Sequence, residues 1–202
     1  MKNLISIIII SIFSITSCYK KVKLSDLPPI TTVGANTFGC LVNGNGLIPR
    51  SYSSGKPLAL AYFHDTASIF RNTFNNTGFT GKLYDLFITA GDYTLNSPVT
   101  LLLEAQGLDL KTGDKIPIVS KLTPNSIFGS YYINGFVFGY SQPVVQSNTI
   151  TYKSILSSSN LLTVVKRDSV NHILSCTFSF DAADTLGNIV QIRDGRFDIQ
   201  TH

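Results

Sequence analysis

His172-Ile173-Leu174-Ser175-Cys176-Thr177-Phe178-Ser179-Phe180-Asp181 repeats with a period of two. His172, Leu174, Cys176, Phe178 and Phe180 fall on one face; Ile173, Ser175, Thr177, Ser179 and Asp181 fall on the other. Successive side chains of a strand point to opposite faces, so the pattern predicts a β-strand with one mostly apolar face turned to a core. Asp184-Thr185-Leu186-Gly187-Asn188 follows with turn-forming residues. Ile189 to Arg193 predicts the returning strand, continued by Asp194-Gly195-Arg196-Phe197-Asp198-Ile199.

Similar signals recur toward the N-terminus. Phe38, Cys40 and Val42 share a face, and Asn43-Gly44-Asn45-Gly46 supplies a turn to Leu47-Ile48-Pro49. Leu58 to Phe63 is an apolar run suited to a buried strand. Further strands are expected at Ile69–Phe74, Lys82–Thr89, Tyr93–Leu95, Val99–Ala105, Ser130–Tyr140, Ile150–Ile155 and Leu161–Lys166. Helical periodicity is weak; Ala67 to Thr73 is the best candidate for a short helix. With fifteen Gly, eight Pro, no Trp and 14% charged residues, the composition suits an all-β domain. Many short antiparallel strands predict a single β-sandwich, or a partly open barrel, over residues 36–202.

The other end of the chain carries an address. Met1-Lys2-Asn3 leads into an apolar run from Leu4 to Ile15 that stops at Ile15-Thr16-Ser17-Cys18. About a dozen apolar residues are too few to span a bilayer, which needs ~20. A basic start, a short apolar stretch and small residues before a cut site describe a secretory signal. Because cysteine follows the small pair, residues 1–17 resemble a bacterial lipoprotein signal. In such signals the cysteine thiol, here Cys18, is alkylated by diacylglycerol, the preceding bond is cut, and the new amino group is acylated. The expected location is the cell envelope, as an outer-membrane lipid-anchored protein whose periplasmic or surface facing stays open.

Cleavage there leaves 185 residues, enough for one domain with its own core. The precursor charge of +4 falls to +3 with Lys2 removed, too small a basic excess for a nucleic-acid partner. Residues 18–35, with Lys20, Lys21, Lys23 and Pro28-Pro29, are expected to form a flexible, extended tether. At ~3.3 Å per residue it could hold the domain up to ~55 Å from the bilayer. The lysines either meet anionic headgroups, each contributing ~1 kcal/mol, or belong to a solvated spacer. Cys40 and Cys176 could form a disulfide in that compartment, or remain free as small apolar residues on strand faces.

Leu27-Pro28-Pro29, the stretch Gly34-Ala35-Asn36-Thr37-Phe38-Gly39-Cys40-Leu41-Val42-Asn43-Gly44, and the closing Asp168 to Phe180 and Asp194 to Asp198 resemble a family of Bacteroidetes lipoproteins of unknown function. That family more often has Gly at the position of Cys176. The resemblance covers both ends of the mature chain and implies a compact β domain in the envelope. It implies no activity. Surface export in that phylum goes with acidic residues after the lipidated cysteine, where this chain has Tyr19-Lys20-Lys21.

Residues that could carry chemistry are few. A hydrolase needs a nucleophile, a base and an orienting acid; the only bases of the right kind are His64, His172 and His202, and no Gly-x-Ser-x-Gly elbow occurs. No Cys or His spacing suits zinc. Asp181, Asp184, Asp194 and Asp198 flank one hairpin and could gather around calcium, but turn aspartates explain them equally, so no metal and no cofactor is assigned. Tyr132, Phe136, Phe138 and Tyr140 line one face of a single expected strand, either as a stacking platform for a glycan or as core. Thr66, Ser169 and Thr185 each follow an aspartate and precede an apolar residue, resembling O-glycosylation acceptors of that phylum. The expectation is thus a non-catalytic envelope protein with a binding or structural role. Its expected partners are the membrane through Cys18 and a glycan or another envelope protein; a glycan-binding adhesion module and a hydrolase are the alternatives.

Overall fold

The computed structural model describes residues 22–53, 56–59, 67–71, 84–92, 99–108, 110–120, 127–133 and 149–200. Among these residues the fold is all β apart from one 3-10 turn, Leu24–Asp26. The strands of the first half are β1 (Thr37–Val42), β2 (Asn45–Leu47), β3 (Arg50–Ser53), β4 (Lys56–Ala59), β5 (Ala67–Arg71), β6 (Tyr84–Asp92) and β7 (Val99–Leu108). Those of the second half are β8 (Lys115–Val119), β9 (Ile127–Ile133), β10 (Ile150–Ser154), β11 (Leu161–Asp168), β12 (Ile173–Ala183) and β13 (Ile189–Gln200). They form one connected sheet in the order β2-β1-β13-β12-β11-β8-β9-β7-β6-β3-β4, with β5 paired to β6. Strand β10 pairs with both β9 and β12, so β8, β9, β10, β12 and β11 close into a five-stranded barrel.

The inward face of β12 is as its alternation requires: Leu174, Cys176, Phe178, Phe180 and Ala182 are all buried. On the other face Thr177, Ser179 and Asp181 are half-buried, while Ile173 and Ser175 are buried too. The Phe178 ring lies 5.6 Å from Phe38 of β1 and 6.2 Å from Phe197 of β13, so the aromatic face of β12 knits three strands together. Phe180 reaches across to β9: a Cβ added to Gly129 would stand 2.7 Å from its Cζ. Gly129 is therefore the flat spot on which the ring rests.

The barrel seam is polar. Ser154 donates its hydroxyl to the Val119 carbonyl and accepts the Gly129 N–H at 3.1 Å, which ties β10 to both β8 and β9. Asn160, also buried, accepts the Asp181 N–H at 3.0 Å and donates to the Ile155 carbonyl at 2.6 Å; its own carbonyl accepts the Ile118 N–H. Buried polar groups need such partners, so two side chains settle where the sheet closes.

Several sequence expectations are corrected. Ala67 to Thr73 does not start a helix: Ala67–Arg71 is strand β5, registered from Ala67↔Ile88 to Arg71↔Tyr84. A helical nucleus of so few residues is unfavourable, whereas the edge of β6 offers ready partners. Strand β8 had no counterpart among the expected strands, because Pro117 stands in its middle. The expected strand Ser130–Tyr140 instead starts at Ile127, and its described part ends at Ile133. His172 is outside β12, in the preceding turn, exposed and with φ 57°. Residues 189–200 form one strand, with a bulge against β12 where Asp194 takes φ 51°.

The largest correction concerns the tether. From Val22 to Asn36 the chain lies along the β1–β13–β12 face as a strap. Leu27 is buried, Leu27 and Pro28 close over Gly39, and Val22 closes over Gly46. Gly46 also donates its N–H to the Val22 carbonyl at 2.9 Å. Two prolines suppress helix in this stretch, but an extended chain is also the form that lies flat on a sheet.

Candidate functional site

The outer face of β11, β12 and β13 is polar because the odd-numbered residues of β12 point there. Cross-strand register sets Thr163 beside Thr177 and Thr177 beside Arg196, with Leu161 beside Ser179 one step along. The strap rises over this face and presents Leu24 and Ile30, each about half exposed. Between strap and sheet runs an open groove of about 730 Å³, lined also by Arg193 and Asp194.

Its two arginines differ. Arg193 is committed: it pairs with Asp181 and donates to the Phe180 and Ile192 carbonyls at 3.1 and 2.8 Å. Arg196 Nε is buried and has no hydrogen-bond partner among the described residues. A desolvated guanidinium N–H without an acceptor is costly, and with no accessible surface it lies beneath the groove lining rather than on it. The hydroxyls of Thr163, Thr177 and Ser179 add donors and acceptors, and Leu24, Ile30 and Leu161 add an apolar wall.

Beside the groove the strap is clasped by one carboxylate. Asp198, buried on β13, accepts Thr31 Oγ1 at 2.6 Å, the N–H groups of Val33, Gly34 and Ala35 at 3.0 to 3.1 Å, and the Ser175 hydroxyl. Burial alone would raise its pKa, but hydrogen bonds from Ser175, Thr31, Ala35 and Val33 outweigh it and hold the carboxyl below its ordinary value. Lys166 Nζ adds a bond to the Thr32 carbonyl at 3.2 Å.

The four hairpin aspartates do not gather. Asp198 clasps the strap and Asp181 pairs with Arg193. Asp184 caps the β12–β13 turn by accepting the Leu186 and Asn188 N–H groups at 2.9 Å and Asn188 Nδ2 at 2.7 Å. Asp194 occupies the exposed bulge. Among the described residues no group of three or more His, Cys, Asp or Glu side chains could hold a metal ion.

Cys40 and Cys176 are free and buried. They stand on β1 and β12 with β13 between them. Two strand spacings come to ~9.5 Å, beyond the ~7 Å limit for a disulfide without backbone movement, so the pairing left open by the sequence is not made. Burial pushes both thiols far above their ordinary pKa. Neither should react with a thiol reagent such as dithionitrobenzoate in the native protein, and both should react in denaturant. A disulfide would show as no reaction in either.

His172 borders a shallow cleft of about 580 Å³ with Thr32, Lys166, Asn171 and Gln200; that lining contains no serine, cysteine or carboxylate. His64 and His202 lie outside the described residues, as do Cys18, Thr66, Phe136, Phe138 and Tyr140. Of the aromatic platform, Tyr132 is placed by its backbone, between Thr100 of β7 and Thr151 of β10.

Ser169 and Thr185 are both exposed, in the two turns at opposite ends of β12. The aspartate before each organises its turn in the same way. Asp168 accepts the Val170 and Asn171 N–H groups at 3.1 and 2.9 Å. The Asn171 side chain, foremost, draws its pKa down to about 2. Asp184 is likewise lowered, first by Asn188.

The strap and groove escaped the sequence reading. Their signal was present only in part, as the hydroxyl-and-arginine row Thr177, Ser179, Arg193, Arg196 on the polar side of two expected strands. No family model matches the chain, and no curated protein or solved structure matches it.

Proposed function

We propose that this protein is an exported, lipid-anchored component of the cell envelope that binds a ligand and performs no catalysis. The leader ending at Ser17-Cys18 carries the anchoring half of that reading. The open groove, lined by Thr163, Thr177, Ser179 and Arg196, supports the binding half. A guanidinium among three hydroxyls suits a polar chain such as a glycan, and the apolar wall suits the ring faces of sugars. The resemblance to envelope lipoproteins agrees with this assignment.

Intact mass of the mature protein tests the anchor. Removal of residues 1–17 with addition of a diacylglycerol and an acyl group at Cys18 is expected, and Cys18→Ser should shift the protein out of the membrane fraction. An unmodified Cys18, or a retained leader, would refute it. The same spectrum reads glycosylation: added hexose on Ser169 or Thr185 is expected, and peptide plus lipid alone excludes it.

A further inference from the structure

The strap does more than cover a face, because it fixes where the anchor leaves the domain. Its C-terminal end sits at the Gln200 end of β13, where Asn36 Oδ1 accepts the Gln200 N–H at 3.0 Å and Gly34 meets Asp198. Pro28 lies over Gly39, which is registered with Arg196. Val22 lies over Gly46, which is registered with Leu41 and, through it, with Arg193. Followed back toward the N-terminus, the chain therefore descends the sheet and points at one end of the molecule. That end is built from the β1–β2 turn at Asn43-Gly44 and the β12–β13 turn, Asp184 to Asn188.

From Cys18 to Val22 there are four residue steps. Covalent geometry limits them to ~14 Å, a quarter of the reach expected of a free tether. The opposite end, with the β11–β12 turn, lies beyond Gln200. Seven residues separate Arg193 from Gln200, or ~23 Å along the strand. A lipid on Cys18 cannot bring that distal end to the bilayer while the strap is docked.

We propose that the end formed by the β1–β2 and β12–β13 turns rests on the lipid surface. This orientation depends on the lipid anchor proposed above. The exposed side chains there suit an interface. Leu186 is 86% exposed at the tip of its turn and Ile189 is 55% exposed beside it. The register Lys153↔Ala183 carries Ile150, 44% exposed, past the end of β12 to the same level. Apolar side chains of this kind dip shallowly into the headgroup boundary, and the exposed Lys23 and Lys153 add attraction to anionic lipid. The distal turn carries Val170, equally exposed at 83%, which supplies an internal control.

The test uses the mature lipidated protein, reconstituted in vesicles of phosphatidylethanolamine and phosphatidylglycerol that contain a nitroxide-labelled lipid. Leu186→Cys and Val170→Cys each receive an environment-sensitive fluorophore; both sites are solvent-facing, and the buried Cys40 and Cys176 do not compete for label. Fluorescence from position 186 should be blue-shifted and quenched several-fold more than from position 170. Equal quenching at the two positions, or the reverse order, in protein whose mass confirms the lipid overturns the orientation and leaves the anchor standing. An unmodified Cys18 overturns both, and the mass measurement tells the two failures apart.

Discussion

Truncating Phe180 to alanine should destabilise the protein by about 3–5 kcal/mol, the range for removing a buried aromatic ring. Phe180 is fully buried inside the closed barrel, 6.5 Å from the Phe178 ring and seated on Gly129 of the facing strand. Neighbouring side chains could fill such a void only if β9 moved toward β12. The hydrogen bonds of Ser154 to Val119 and Gly129 resist that movement, so the space stays open and its cost falls near the upper end. The complementary change, Gly129→Ala, keeps the ring and adds a methyl group where the ring already stands; overpacking of this kind costs about 1–3 kcal/mol. The two should not add. In the double variant the alanine methyl occupies part of the vacated space, so urea denaturation should give a loss smaller than the sum of the single losses. Strict additivity would mean that Phe180 and Gly129 are not in direct contact.

The parts of the fold that could be read in advance are those in which one strand carries the whole signal. β12 and β13 were legible because apolar and polar residues alternate within ten residues, and the turn between them has Asp184, Gly187 and Asn188 where a turn needs them. Strand β8 was not, because Pro117 reads as a breaker when its neighbours are unknown. The structure places it opposite Leu161 in a short, five-residue strand that pairs over only part of its length. A sandwich and a closed barrel look the same at this level, since both need the same alternation. The choice between them rests on Ser154 and Asn160, whose side-chain partners lie up to 35 residues away.

The candidate site was hidden for the same reason in a stronger form. Thr31, Val33, Gly34 and Ala35 find their acceptor more than 160 residues later in the chain. Nothing local distinguishes such a strap from a spacer rich in proline and threonine. The groove needs strap and sheet together, so its lining could be read from neither. Composition, and the opening residues on which the envelope proposal rests, are by contrast local properties of the chain.

Replacing Asp198 by alanine should cost about 3 kcal/mol and free the strap before the rest of the domain unfolds. The carboxylate is the shared acceptor of the Thr31 and Ser175 hydroxyls and three successive backbone N–H groups. Each buried donor left unpaired costs about 1–3 kcal/mol, but the strap donors can turn to water once it lifts, so the sum is capped well below five such terms. Ser175 on the sheet keeps its penalty. Limited trypsin digestion of the bond after Lys23 should therefore accelerate in the variant under conditions where the core strands stay protected. The pH dependence follows from the depressed pKa. A carboxyl held below its ordinary value in the native state, against ~3.9 when unfolded, adds stability above that unfolded value and loses it as pH falls through the native one. Asp168 and Asp184 contribute acid sensitivity of the same sign from their turns, and both remain in the variant. The gap in stability between wild type and Asp198→Ala should accordingly be widest above about pH 5 and narrow steadily below about pH 4. Denaturation midpoints that keep a constant gap from pH 6 to pH 3 would show that Asp198 does not clasp the strap as a carboxylate.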